Sequence, residues 1–251
     1  MARRTRRLLL AVAAAAGAVG GWVLYTRGRS LWVPVVRAAV GKRTVDDVLA
    51  RYGPKAEARL RPHFERAGVR YSPARIALIG LKAEKRLELW AGKDDKWALI
   101  RSYRVLAASG RPGPKLREGD RQVPEGIYTL EYLNPNSSYH LSLKLNYPKA
   151  FDRKHAEAEG RTEPGSDIFI HGKAVSIGCL AIGDRPIEEL FVLVARVGKA
   201  NVKVLIAPND LRRAKAVTDL STAPAWVPEL YAQLERELRQ FPIASQRKDT
   251  K

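Results

Sequence analysis

The sequence predicts an α+β fold dominated by strands, with helices on both flanks of a β-rich middle. Three observations carry that reading. Between Arg75 and Pro208 the apolar residues come in short runs bounded by Gly, Pro, Asn and Asp, as strands require. Before and after this region, "TVDDVLARYGPKAEARLRPHFERAG" and "PAWVPELYAQLERELRQF" carry apolar residues at helical spacing. At 45% hydrophobic and 28% charged over 251 residues, the chain holds a sizeable core, enough for one large domain or a medium one with extensions.

The chain opens "MARRTRRLLLAVAAAAGAVGGWVLYTRGR", with four arginines ahead of an uncharged run from Leu8 to Tyr25. That run is close to the roughly 20 apolar residues a spanning helix needs. Two readings stay open: an anchor in the inner membrane through residues 8–25, or a signal peptide cut near the small residues Ala14 to Ala16. Both place the body outside the inner membrane, because the heavier positive cluster stays cytoplasmic. Trp22 and Tyr25 fall where an interfacial belt would lie.

Residues 30–44 read as a short linker. Thr44 then fits an N-cap, with Asp46 and Asp47 in the first helical turn, Pro54 as a kink or break and Gly68 as a stop. "RIALIGLKAEKRLELWA" and "KWALIRSYRVL" read as two strands of a hairpin around "GKDDK". "SGRPGPKLREGDRQVPEG" is a basic loop, and "IYTLEYL" and "YHLSLKL" alternate as half-buried strands around "NPNSS". "YPKAFDRKHAEAEGRTEPGSD" reads as a polar connection, and "IFIHG" as a short strand ending at His171. "DRPIEELFVLVARVG" reads as a helix capped by Asp184, with Pro186 in its first turn and Gly198 at its end. "NVKVLIAP" closes the strands. The predicted segments are 1–29 (signal or anchor), 30–71 (linker and helix), 72–210 (the β-rich domain) and 211–251 (a helix and charged tail).

The net charge is +19, of which +13 lies on the 222 residues after Arg29, so the body favours acidic partners. Zinc-finger spacing, RNP signatures and basic-region heptads are missing, and an export segment argues further against nucleic acid. The other histidines, His63, His140 and His155, have no ligand spacing to each other or to Cys179, so no metal is expected.

Cys179, in "HGKAVSIGCLAIGD", is the chain's only cysteine. It is either a buried, inert apolar residue or a nucleophile, and a redox role lacks a resolving thiol. A nearby histidine or helix N-terminus would raise its thiolate fraction, and His171 lies eight residues upstream. Gly178 would let an acyl group approach, and amides of the turn would stabilise an oxyanion.

"IHG" followed by "SIGC" resembles the catalytic signature of the L,D-transpeptidase (YkuD-type) family, exported bacterial enzymes that act on peptidoglycan stem peptides. "GPKLREGDRQVPEGIYTL" is similar to the family's strand entry, and "NPNSSYHLSLKLNYP" to the segment following it in one branch. The resemblance spans Ser72 to Pro208. It implies a β-rich catalytic fold, Cys179 as nucleophile and His171 as proton acceptor and donor. Gly172, Ser176 and Gly178 match the surrounding motif. The implied reaction is a thioester resolved by water or an amine, without cofactor or metal. Many members carry a histidine and an arginine where this chain has Ile177 and Ala181, and a longer His-to-Cys interval. These departures resemble a compact branch to which hydrolysis of the link between a wall lipoprotein and diaminopimelate is assigned. Lys115, Arg117 and Arg121 are either solvated surface or substitutes for the missing arginine on stem-peptide carboxylates. Tyr139 and Tyr147 either line a substrate groove or pack in the core.

Overall fold

The computed structural model describes residues 16–26 and 28–243. The described residues form two compact units, divided between Lys42 and Arg43. In the first, residues 16–26 are helical and helix α1 runs Arg29–Val40. Tyr25 and Trp32 stack at 5.6 Å, with the Arg29 guanidinium 4.9 Å from the Trp32 ring. The linker expected at 30–44 is therefore mostly helix. Gly28 and Gly41 bracket an uninterrupted set of side chains, and Pro34 is accommodated inside it. Among the described residues no helix is long and apolar enough to cross a membrane. Much of the expected span, Leu8 to Tyr25, lies outside the described residues.

The second unit is α+β with two sheets. Helix α2 (Val45–Arg66) opens it, held by a capping box in which Thr44 and Asp47 satisfy each other's backbone N–H groups. The helix runs through Pro54 and Pro62 and does not break at Pro54. Strands β1 (Ile76–Leu81), β2 (Arg86–Lys93) and β3 (Lys96–Arg104) follow. The expected hairpin is thus a three-stranded meander. The polar turn between Leu81 and Arg86 is short enough to pass for the exposed face of one long strand.

β4 (Gly126–Tyr128), β5 (Leu130–Asn134), β6 (Ser142–Leu145), β7 (Phe169–His171), β8 (Leu180–Ala181) and β9 (Val202–Ala207) complete the strands. The five-stranded sheet has order β3-β2-β1-β9-β4, and the four-stranded sheet β5-β6-β7-β8. "IYTLEYL" is therefore two strands in two sheets, parting at Thr129. The polar connection contains a helix, α3 (Ala150–Ala158), which buries Ala156 alone and so shows no apolar stripe in sequence. Helix α4 is Asp184–Val197 and α5 is Val227–Leu238.

The five-stranded sheet is covered on both faces. One face meets the second sheet, α2 and α4 through Leu78, Leu89, Val204, Leu60, Phe64 and Phe191. The other meets α5 through Ala77, Ile79, Leu205, Leu230 and Leu234. Every residue of β1 is buried, which explains why "IALIGL" is continuously apolar instead of alternating. α4 lies deep enough to bury Glu189, whose carboxylate accepts from Arg59 (2.7 Å), Arg101 (2.9 Å) and the Tyr103 hydroxyl (3.0 Å). Leu234 is fully buried at the α5 contact. Leu234→Ala is expected to cost about 2–5 kcal/mol. Urea unfolding should show this as a lower midpoint with an unchanged slope, and an unchanged midpoint would mean that α5 contributes little.

Candidate active site around Cys179

β7 and β8 are parallel neighbours, with Ile170 opposite Leu180 and His171 opposite Ala181. The chain returns between them through residues 172–179, so His171 ends one strand and Cys179 sits just before the other. The loop needs glycine at two points. A Cβ on Gly172 would lie 2.7 Å from the Tyr139 carbonyl oxygen and 2.8 Å from an Asp184 carboxylate oxygen. Gly178 has φ +93°, a conformation side-chain-bearing residues rarely adopt.

Hydrogen bonds then fix the loop. Asp184 accepts from the Lys173 backbone N–H (2.9 Å) and ammonium (2.6 Å). The helix cap expected at Asp184 falls instead on Gly183, at φ +88°, while Asp184 begins α4 and ties the helix start to Lys173. Ser176 Oγ accepts the Cys179 N–H at 2.9 Å and donates to the Cys179 carbonyl at 2.6 Å. Ser109 Oγ accepts the Gly178 N–H at 2.6 Å. Both amides flanking the thiol, expected to receive an oxyanion, are therefore engaged.

The thiol itself is half-buried, recessed among protein atoms with a face toward solvent. Its S–H donates to the Asp167 carbonyl at 3.6 Å. Among the described residues it makes no hydrogen bond with His171. Burial pushes the thiol up to about 11. The Phe169 backbone and the Lys115 cation act the other way, and Asp167 adds to the rise. A thiol raised that far rests almost wholly protonated at pH 7. Iodoacetamide alkylation of Cys179 is therefore expected to be slow at pH 7 and to climb steadily towards pH 11. A plateau below pH 8 in the rate profile would contradict the geometry.

His171 is 2% exposed. Its Nδ1 lies 2.6 Å from the Gly172 carbonyl, which can only accept, so Nδ1 carries the proton and Nε2 presents a lone pair. Burial lowers the imidazole's pKa, against the opposing Gly172 bond, and keeps the ring neutral. The Tyr139 ring packs on it, centroids 4.8 Å apart and tilted by 33°. The resting pair is a neutral thiol and a neutral base of the right tautomer.

The other expected residues divide. Lys115 is only 7% exposed, its ammonium held by Asp120 (2.7 Å) and the Arg117 carbonyl (2.9 Å). It closes the basic loop and is not free to dock a ligand. Arg117 and Arg121 are exposed on that loop. Tyr147 is buried and donates to the Pro164 carbonyl at 2.7 Å, a core role. Two grooves are lined in part by residues near the site in sequence, and neither has His171 or Cys179 in its walls. One, of about 600 Å³, has Lys173 among its walls with Arg104, Leu106 and Arg185. The other, of about 780 Å³, runs along α3 past Arg153 and Arg161 to Ser166, next to Asp167. Ser109 and Asp167 carried no sequence signal: one acts from 69 residues away and the other through its backbone. Among the described residues, no group of three or more His, Cys, Asp or Glu could hold a metal ion.

A two-sheet α+β domain that sets a cysteine-bearing loop against a strand ending in histidine defines a class of catalytic domain. The chain belongs to the L,D-transpeptidase catalytic domain family (YkuD), which matches residues 75–206. It is 35% identical over 142 residues, 55% of this chain, to YafK of Escherichia coli (strain K12), named as a candidate L,D-transpeptidase. The match covers 54% of that protein, so the chain spans about half the length of the curated relatives it matches. Among solved structures, the helical cell shape determining protein Pgp2 of Campylobacter jejuni is 22% identical, with TM-score 0.45, covering 54% of this chain and 48% of Pgp2. Bd1075 of Bdellovibrio bacteriovorus is 19% identical, with TM-score 0.41, covering 66% of this chain and 55% of Bd1075.

Proposed function

We propose that this protein is a cysteine acyl-transfer enzyme of the peptidoglycan, acting on stem peptides outside the inner membrane. The observation that carries the reading is His171: a buried neutral imidazole, Nδ1 committed to Gly172, whose Nε2 hydrogen-bonds to none of the described residues, at the end of the strand beside that of Cys179. As the sulfur attacks the scissile carbonyl carbon, its proton passes to Nε2 and the C=O pair moves onto oxygen. Collapse of the tetrahedral adduct breaks the C–N bond, and the leaving amine takes the proton from His171. A thioester remains on Cys179. Water or an amine then attacks it, loses a proton to His171, and returns the thiol on collapse. Because thiol and imidazole are not bonded at rest, substrate must draw the S–H from the Asp167 carbonyl towards Nε2.

Water is the acceptor we favour, with the amide at diaminopimelate that links a lipoprotein to the wall as substrate. Ala181 supports this: it is buried and bridged to Ala107, so this position offers no cation to a second peptide. Residues 8–25 would tether the enzyme to the inner membrane. Turnover of purified muropeptides in oxygen-18 water tests the choice by mass spectrometry. Label in the released carboxyl group is expected, and unlabelled cross-linked dimers would make the protein a transpeptidase. The raised thiol pKa favours one rival, a wall-binding or envelope-scaffolding protein that keeps the fold without the reaction. It requires that no muropeptide change at all.

A further inference from the structure

Acyl transfer by Cys179 develops negative charge on the carbonyl oxygen, and a donor must meet it. The amides of Gly178 and Cys179 are spent: Gly178 N–H on Ser109 Oγ, Cys179 N–H on Ser176 Oγ. An amide carries one hydrogen, so neither serves an oxyanion while its present partner stays. The two hydroxyls differ in what remains to them. Ser176 gives its proton to the Cys179 carbonyl. Ser109 accepts at 2.6 Å and, among the described residues, donates to no group. Its proton is an unspent side-chain donor beside the nucleophile loop. A hydroxyl oxygen that accepts from an amide is polarised, and its own O–H becomes a better donor.

Backbone geometry holds Ser109 there. Leu106 N–H donates to the Ala181 carbonyl (2.8 Å) and Ala181 N–H to the Ala107 carbonyl (3.0 Å). Ser109 follows this bridge by two residues, just as Cys179 precedes it by two. Gly110, at φ +87°, then turns the chain away.

We propose that Ser109 is a catalytic residue, whose hydroxyl donates to the developing oxyanion while the Gly178 amide fixes its oxygen in place. The proposal rests on the acyl-transfer reading and adds a side-chain donor to it.

Two reactions of the full chain separate this role from a structural one. Acylation by p-nitrophenyl acetate passes through a tetrahedral oxyanion, expels p-nitrophenolate and leaves an acetyl thioester. Alkylation by iodoacetamide displaces iodide at carbon with no oxyanion. Ser109→Ala is expected to slow acylation about 10²–10³-fold with KM within twofold, leaving alkylation and its pH profile unchanged. Ser109→Thr, which keeps the hydroxyl, should restore most of the rate. If the alanine variant does not fold, Ser109→Gly carries the test, because it also removes the hydroxyl and leaves Cys179 the only thiol. Wild-type acylation in a folded alanine or glycine variant overturns the proposal. So does faster acylation, which would make the hydroxyl a plug on the Gly178 amide, or a parallel loss of both reactions, which would make it a loop brace. Cys179→Ala is the control: acylation persisting there removes the acyl-transfer reading itself. A dead control beside an unaffected Ser109→Ala removes only the serine's role.

Discussion

Cys179→Ala is expected to abolish turnover of muropeptides, by at least about 10⁴-fold, and to leave the fold standing. Both halves follow from the sulfur's surroundings. Its S–H makes one long hydrogen bond, to the Asp167 carbonyl at 3.6 Å, and the side chain is only partly buried. Deleting it should cost no more than about 1 kcal/mol, a shift of roughly 2–4 °C in a domain of this size. The chemistry has no substitute, because no other cysteine exists in the chain. Cys179→Ser should be almost as inactive: a hydroxyl is a far weaker acid than even this raised thiol, and the same neutral imidazole cannot drive its attack. Intact-mass spectrometry after incubation with muropeptides reads the result directly. Wild type should accumulate an adduct and both variants none, with circular dichroism unchanged. An adduct on Cys179→Ala would move the nucleophile elsewhere and remove the mechanism.

The parts of this molecule that were legible in sequence are those with local causes. Thr44 lies directly before its helix, so the cap could be read directly, α5 announces itself by one apolar face, and α4 by its dense apolar run. What failed was set by neighbours distant in the chain. β1 and β2 run together in sequence because the five-stranded sheet is covered on both faces and supplies no alternation to mark the turn. α3 packs through too few apolar residues to leave a period. The site divides in the same way. Gly172, Ser176, Gly178 and Cys179 act within one loop, and their motif was visible. Lys115 looked like a docking charge because its partner, Asp120, was read as part of the same basic stretch. The thiol's acidity went the wrong way because sequence shows the histidine nearby but not the burial that outweighs it.

That burial makes His171 the residue whose loss should show most clearly in a pH profile. In the wild type the base must be unprotonated, and burial lowers its pKa below the usual 6.5. Activity should therefore rise with pH through a midpoint below 6.5, then hold level, since the thiol stays protonated until about 11. With neutral thiol and neutral imidazole as the reactive form, proton transfer accompanies attack and does not precede it. His171→Ala removes that transfer. The acylation rate is expected to fall about 10²–10⁴-fold, with little change in KM, because the buried ring offers substrate almost no surface. The acid limb should vanish with it. What remains needs preformed thiolate, so the residual rate should climb tenfold per pH unit towards 11, where the wild type is flat. Tyr139 loses its packing partner in the variant, so a stability loss of about 1–3 kcal/mol is expected as well. Stability alone would lower the amplitude at every pH and leave the limb where it was. A variant that keeps a midpoint below 6.5 would therefore assign the base to another group, and a neutral imidazole beside Cys179 would be structural.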